Sequence, residues 1–137
     1  MSRARAFQEA LQPKDAPERW RVSVKVNEDE ESESGVVWYQ IRTRYEGTRS
    51  TTAIRRYAEF RSLRQSVEKQ RAPRVGVAAP FPSRSVLSSR LSEAALEKRL
   101  RQLEAWLRAV ADARDALDDA RGKQLRMFLA MEEGWHL

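Results

Sequence analysis

The chain has 137 residues, 41% of them hydrophobic, enough to bury one real core and hardly two, so a single domain is expected. It has no cysteine, which excludes disulfide scaffolds, thiolate zinc sites and cysteine nucleophiles, and no apolar run approaches the roughly eighteen residues needed to cross a bilayer. The formal charge of +6 is unevenly spread: residues 42–101 hold fifteen Lys/Arg against five Asp/Glu, the remainder eleven against fifteen. The middle of the chain therefore carries a basic surface, suited to a phosphoinositide, an anionic leaflet or a nucleic acid, or merely solvated.

The start, MSRARAFQEALQPKD, has no apolar core of the signal-peptide kind, and a soluble, cytoplasmic protein is the expectation. Residues 1–17 are polar and proline-bearing and read as a flexible lead-in, 18–133 as the folded domain and 134–137 as a tail. In WRVSVKV, Trp20, Val22, Val24 and Val26 share one face of a strand. The acidic stretch NEDEESESG is too charged to pack and reads as a loop or an open hairpin connection. VVWYQIRTRY then puts Val37, Tyr39, Ile41, Thr43 and Tyr45 on one face, and Glu46-Gly47 leads into RSTTAIRRY, a hairpin closed at Gly47. Together these make a three-stranded antiparallel sheet.

From Tyr57 the period lengthens: Tyr57, Phe60, Leu63 or Arg64, and Val67 form the stripe of an amphipathic helix that follows the third strand directly. APRVGVAAPFPS, residues 72–83, has three prolines and a glycine and reads as an extended, partly polyproline-type loop. Ser92 is placed to cap the longest helix, whose seam runs through Leu96, Leu100, Leu103, Leu107 and Val110 to about Ala113. After the acidic break DARDALDDA a last helix, with Leu125, Phe128 and Leu129 on one face, is expected to end near Gly134. Segregated strands and helices give class α+β, a three-stranded meander packed on three to four helices.

Catalytic chemistry finds little support in these residues. His136 is the only histidine, so neither a histidine base with partners nor a multi-histidine metal site can be built. Asp112, Asp115, Asp118 and Asp119 lack calcium-loop spacing and read as a charged helix break. No phosphate-cradling glycine loop or nucleophile elbow is present. No enzyme activity, cofactor or metal is expected.

The joints between elements carry a resemblance. RRYAEF at 55–60, PFPSR at 80–84 and EKRLRQLEAWL at 97–107 resemble, in order and spacing, the Phox-homology (PX) domain of sorting-nexin-like proteins. The resemblance spans roughly Trp20 to Met131. It implies a basic pocket between the proline loop, the first helix and the long helix, and a phosphoinositide ligand, most often phosphatidylinositol 3-phosphate. By the same resemblance, Arg56, immediately before the tyrosine, holds the 3-phosphate, and Tyr57 packs on the inositol ring. The family usually has a lysine in the proline loop to reach the 1-phosphate; Arg84 stands there, keeping the charge but changing its shape. Arg99, four residues before Leu103, corresponds to the arginine that reads the inositol hydroxyls. Val86 and Leu87, in SRSVLSS, match the apolar residues that family members dip into the bilayer, or else they tuck into the core. Strand alternation places Arg55 on the face opposite Arg56.

The implied function is a membrane-targeting module, peripheral on endosomal or vacuolar membranes, with the phosphoinositide headgroup and the anionic membrane surface as partners. The alternative is a PX-like fold turned protein-interaction module, holding a protein partner, or the remainder of a larger chain, on the charged helix surface from Glu93 to Arg114. Nucleic acid is an unlikely partner, because base-reading motifs are missing.

Overall fold

The computed structural model describes residues 19–27, 36–71, 75, 77, 79–82 and 92–132. Strands β1 (Arg21–Val26), β2 (Trp38–Tyr45) and β3 (Arg49–Arg56) form one antiparallel sheet in the order β1-β2-β3. The register pairs Val22 with Thr43, Val24 with Ile41 and Ile41 with Ala53. All five are buried, because one residue in two faces the helices. The β2–β3 turn has positive φ at both Glu46 (49°) and Gly47 (77°). Glycine takes that conformation without cost, and a tight hairpin turn needs it there.

Helix α1 (Tyr57–Glu68) begins on the residue after β3 ends. Its first turn is closed by Glu59, whose buried carboxylate accepts the Arg56 backbone N–H at 3.0 Å. Phe60, Leu63 and Val67 are its buried stripe. Helix α2 (Glu93–Asp112) starts at Ser92, whose hydroxyl accepts the Ala95 N–H at 3.1 Å. Its buried seam is Leu103, Trp106, Leu107, Val110 and Ala111, while Leu96 and Leu100 are half-buried at the margin of the core.

Helix α2 also closes the free edge of β1. The Val24 N–H donates to a Glu104 carboxylate oxygen at 2.9 Å, and Arg108 Nε donates to the Val22 carbonyl at 2.7 Å. Unpaired backbone groups on an edge strand invite another strand, and here two side chains occupy them. A 3₁₀ turn, Arg114–Ala116, leads to α3 (Asp119–Phe128). The acidic break thus has structural tasks: Asp112 pairs with Arg19, and Asp118 caps α3 by accepting the Arg121 N–H at 2.8 Å.

The last helix ends at Phe128 rather than near Gly134. Ala130 takes a left-handed conformation (φ 63°), its N–H bonds the Met127 carbonyl, and the Met131 N–H bonds the Arg126 carbonyl, a C-terminal closure of the Schellman type. The core lies between the inner sheet face and the helices, with Phe60 edge-on to both Tyr39 (5.8 Å) and Phe128 (5.0 Å). The acidic loop, the lead-in and the tail lie outside the described residues.

Candidate functional site

The strand-to-helix junction sets two adjacent arginines against different surroundings. Arg55 lies opposite Tyr39 on the inner face and reaches under the sheet to the end of α3. Its Nε donates to the Phe128 carbonyl at 2.9 Å, one Nη to Met127 at 3.0 Å and the other to Ile54 at 3.0 Å, with the guanidinium 5.5 Å from the Phe128 ring centre. The last carbonyls of a helix have no partner within the helix, and Arg55 supplies one from outside. Burial lowers its pKa, with the Glu59 carboxylate opposing.

Arg56 pairs in register with Trp38 on the outer face, its guanidinium 5.9 Å from the indole centre. Its Nε is buried and has no hydrogen-bond partner. A buried donor left unmatched costs about 1–3 kcal/mol, so such groups in folded proteins need an explanation.

Tyr57 opens α1 and is half-buried. Its hydroxyl donates to the Pro82 carbonyl at 2.8 Å, fastening the helix to the proline loop, and its ring lies 5.7 Å from Phe81. Phe81 in turn meets Trp106 edge-on at 5.1 Å, and Arg64 sits 5.0 Å above it. From α2, Arg99 lays its guanidinium 4.5 Å from the centre of the Tyr57 ring. The hydroxyl of Tyr39 lies beneath, buried, with the Arg99 guanidinium placed to donate to it. Burial pushes that phenol above its ordinary pKa, while the Arg99 charge pulls it back.

Two of the candidate residues thus meet where α1, the proline loop and α2 come together, Tyr57 and Arg99, while Arg56 directly precedes Tyr57 in the chain and lies against Trp38. Arg84, Val86 and Leu87 lie outside the described residues. Sequence reasoning missed Trp38, Phe81 and Trp106 as parts of this junction. Trp38 carried a signal, being a large aromatic on the strand face opposite Tyr39; Phe81 and Trp106 are joined only by tertiary packing. On the α2 surface the charges largely neutralise one another, Glu97 with Arg101 and Glu104 with Arg108.

The arrangement suits an oxyanion with a flat ring: two guanidiniums, one with an unmatched Nε, and an aromatic face. It offers no nucleophile with a base. No helix among the described residues is long and apolar enough to cross a membrane.

No curated protein sequence matches the chain. Among solved structures, an X-ray structure of a designed CISK-PX domain is similar, with 25% identity and a TM-score of 0.59, over 75% of this chain and 94% of that one. The family model for the PX domain matches residues 43–132, more than half of the chain. With the strand-to-helix junction, the proline loop and the arginine-bearing long helix all falling inside or beside that match, the chain belongs to the PX-domain family.

Proposed function

We propose that this domain recognises phosphatidylinositol 3-phosphate and so attaches peripherally to endosomal or vacuolar membranes. Family membership supports phosphoinositide-dependent membrane targeting by a non-enzymatic module in general; the choice of lipid and of membrane is our reading. Arg56 holds the 3-phosphate, Tyr57 forms the wall against the inositol ring, Arg99 donates to inositol hydroxyls and Arg84 reaches the 1-phosphate. Val86 and Leu87 follow the proline loop and enter the bilayer, where full burial contributes about 1.5–3 kcal/mol each.

The observation that carries the reading is the buried, unpartnered Nε of Arg56. A phosphate accepts paired, charge-assisted hydrogen bonds from one guanidinium, each worth about 1.5–3 kcal/mol, and would match the donor that the protein leaves open. Arg99 is held by the Tyr57 ring, so less freedom is lost when it meets a hydroxyl.

The test is co-sedimentation with vesicles differing only in the phosphoinositide they carry. Wild type is expected on the 3-phosphate lipid and Arg56→Ala in the supernatant. A folded Arg56→Ala protein that binds as wild type does would sink the assignment of Arg56. Equal binding of wild type to every anionic vesicle would replace the pocket with a nonspecific basic surface.

A further inference from the structure

The outer face of the sheet, away from the helices, is built from alternate residues of all three strands. Exposed on it are Arg21, Ser23 and Lys25 from β1, Arg42 and Arg44 from β2, and Ser50 and Thr52 from β3, with Gln40 half-buried among them. No carboxylate stands among the residues of this face. The register sets Arg21 directly opposite Arg44, an arrangement of like charges that costs stability. Arg49, Arg64, Arg101, Arg108, Arg121 and Arg126 each pair with an acid, as does Arg19, at the corner of this face, with Asp112. Arg21, Lys25, Arg42 and Arg44 have no acidic partner among the described residues. At one corner Arg19, Arg21, Arg44, Tyr45 and Gly47 line a cleft of about 220 Å³.

We propose that this face docks an acidic polypeptide segment of a protein partner, with one of its carboxylates seated in the arginine-lined cleft. Charge complementarity fixes the sign of the partner, and the shape of the face fixes its class. Arg42 and Arg44 follow one another on the outer side of β2, with Ser23, Ser50 and Thr52 beside them, so carboxylates on alternate residues of an extended chain, about 7 Å apart, meet both cations. Single-stranded nucleic acid needs aromatic faces on which bases stack. Of the aromatics here, Trp38 stands at the end of the face with the Arg56 guanidinium over it, and Tyr45, in the cleft, has the Arg49 guanidinium over its ring. Strand addition at the β1 edge is blocked by Glu104 and Arg108, so the segment is placed on the face and not along that edge.

The arginine-lined cleft is separate from the Arg56 site. Arg44 is six residues along β2 from Trp38, roughly 20 Å at strand rise and well beyond the screening length of about 8 Å at physiological salt. Docking here leaves the headgroup site open, so lipid and protein partner are held together.

The test uses the full chain with isotope-labelled amides, titrated at physiological salt with a short oligo-glutamate peptide, with oligo-uridine RNA of equal charge, and with phosphoinositide vesicles. The expected result is saturable peptide binding that shifts the amides of Arg21, Arg42, Arg44 and Thr52 and leaves those of Tyr57 and Arg99 in place. Arg42→Gln/Arg44→Gln is expected to weaken it roughly tenfold, two exposed charge contacts being lost, with vesicle capture retained. If that double variant fails to fold, Arg42→Lys/Arg44→Lys, which keeps charge, must bind the peptide nearly as wild type does. The proposal is overturned by absence of saturable peptide binding or by peptide binding indifferent to the neutral double variant. Tighter engagement of the same amides by RNA or by vesicles overturns it as well.

Discussion

Arg55 and Arg56 are chemically identical, adjacent in the chain and both at the end of β3, yet they do opposite things. Arg55 spends its donors on the carbonyls of Ile54, Met127 and Phe128 and ties the sheet to α3. Arg56 stops over Trp38 with a buried Nε unmatched. Which face of the strand a residue occupies decides whether the fold uses up its hydrogen bonds or leaves them for something else. On the proposed reading, a binding arginine is recognised less by its charge than by what its neighbours fail to offer it.

That comparison breaks most sharply under paired substitution. Arg56→Ala is expected to lose about 3 kcal/mol of binding, a hundredfold or more, to vesicles carrying the recognised phosphoinositide, while its urea midpoint stays close to wild type. Arg55→Ala is expected to do the reverse. Removing it strips partners from the α3 carbonyls and should lower the free energy of unfolding by about 2–4 kcal/mol, with lipid affinity of the folded fraction nearly unchanged. Equilibrium unfolding read beside vesicle capture separates the two; equal loss of both properties in both variants would show that the arginines act as one structural unit.

The split between these two arginines is legible in the sequence because it follows from the two-residue period of a strand. The buried face of the sheet, Val22, Val24, Tyr39, Ile41 and Thr43, is legible for the same reason, and so is the Ser92 cap, whose residue type and position are local chemistry. What could not be read depends on contacts distant in the chain. Helix α3 ends at Phe128 in a closure completed by Arg55, 73 residues earlier, and no local signal announces it. Trp106 joins the seam of α2 because Phe81 from the proline loop packs edge-on against it. The leucine seam of the long helix extends to Leu96 and Leu100, yet these two are only half-buried. Periodicity states which residues share a face, not where the neighbouring layer stops.

A smaller effect sharpens the binding side of the comparison. The Tyr57 hydroxyl ties α1 to Pro82, while its ring supports Arg99. Tyr57→Phe keeps the ring and loses the tie, so about 1 kcal/mol of stability should go and vesicle binding should fall several-fold at most. Tyr57→Ala, which removes the support of Arg99 as well, should weaken binding further. Indistinguishable binding by the two variants would mean that the ring contributes nothing beyond its packing.

The smallest effect concerns the other end of the helix that Arg55 closes. Helix α3 is fixed at its C-terminus by a guanidinium on its carbonyls and at its N-terminus by the Asp118 carboxylate. The Arg121 backbone N–H holds that carboxylate in its charged form, and the Arg121 guanidinium, with the Ala120 N–H, adds to this, so its pKa lies below the usual value although the group is exposed. A carboxylate depressed on folding contributes stability above its unfolded pKa of about 4, and that contribution is lost as pH falls through the lower folded value. Asp118→Asn caps without ionising. Stability measured from neutral to acidic pH should therefore decline less steeply below about pH 4 in Asp118→Asn than in wild type. Parallel curves would show that the acid sensitivity of the domain comes from other carboxylates.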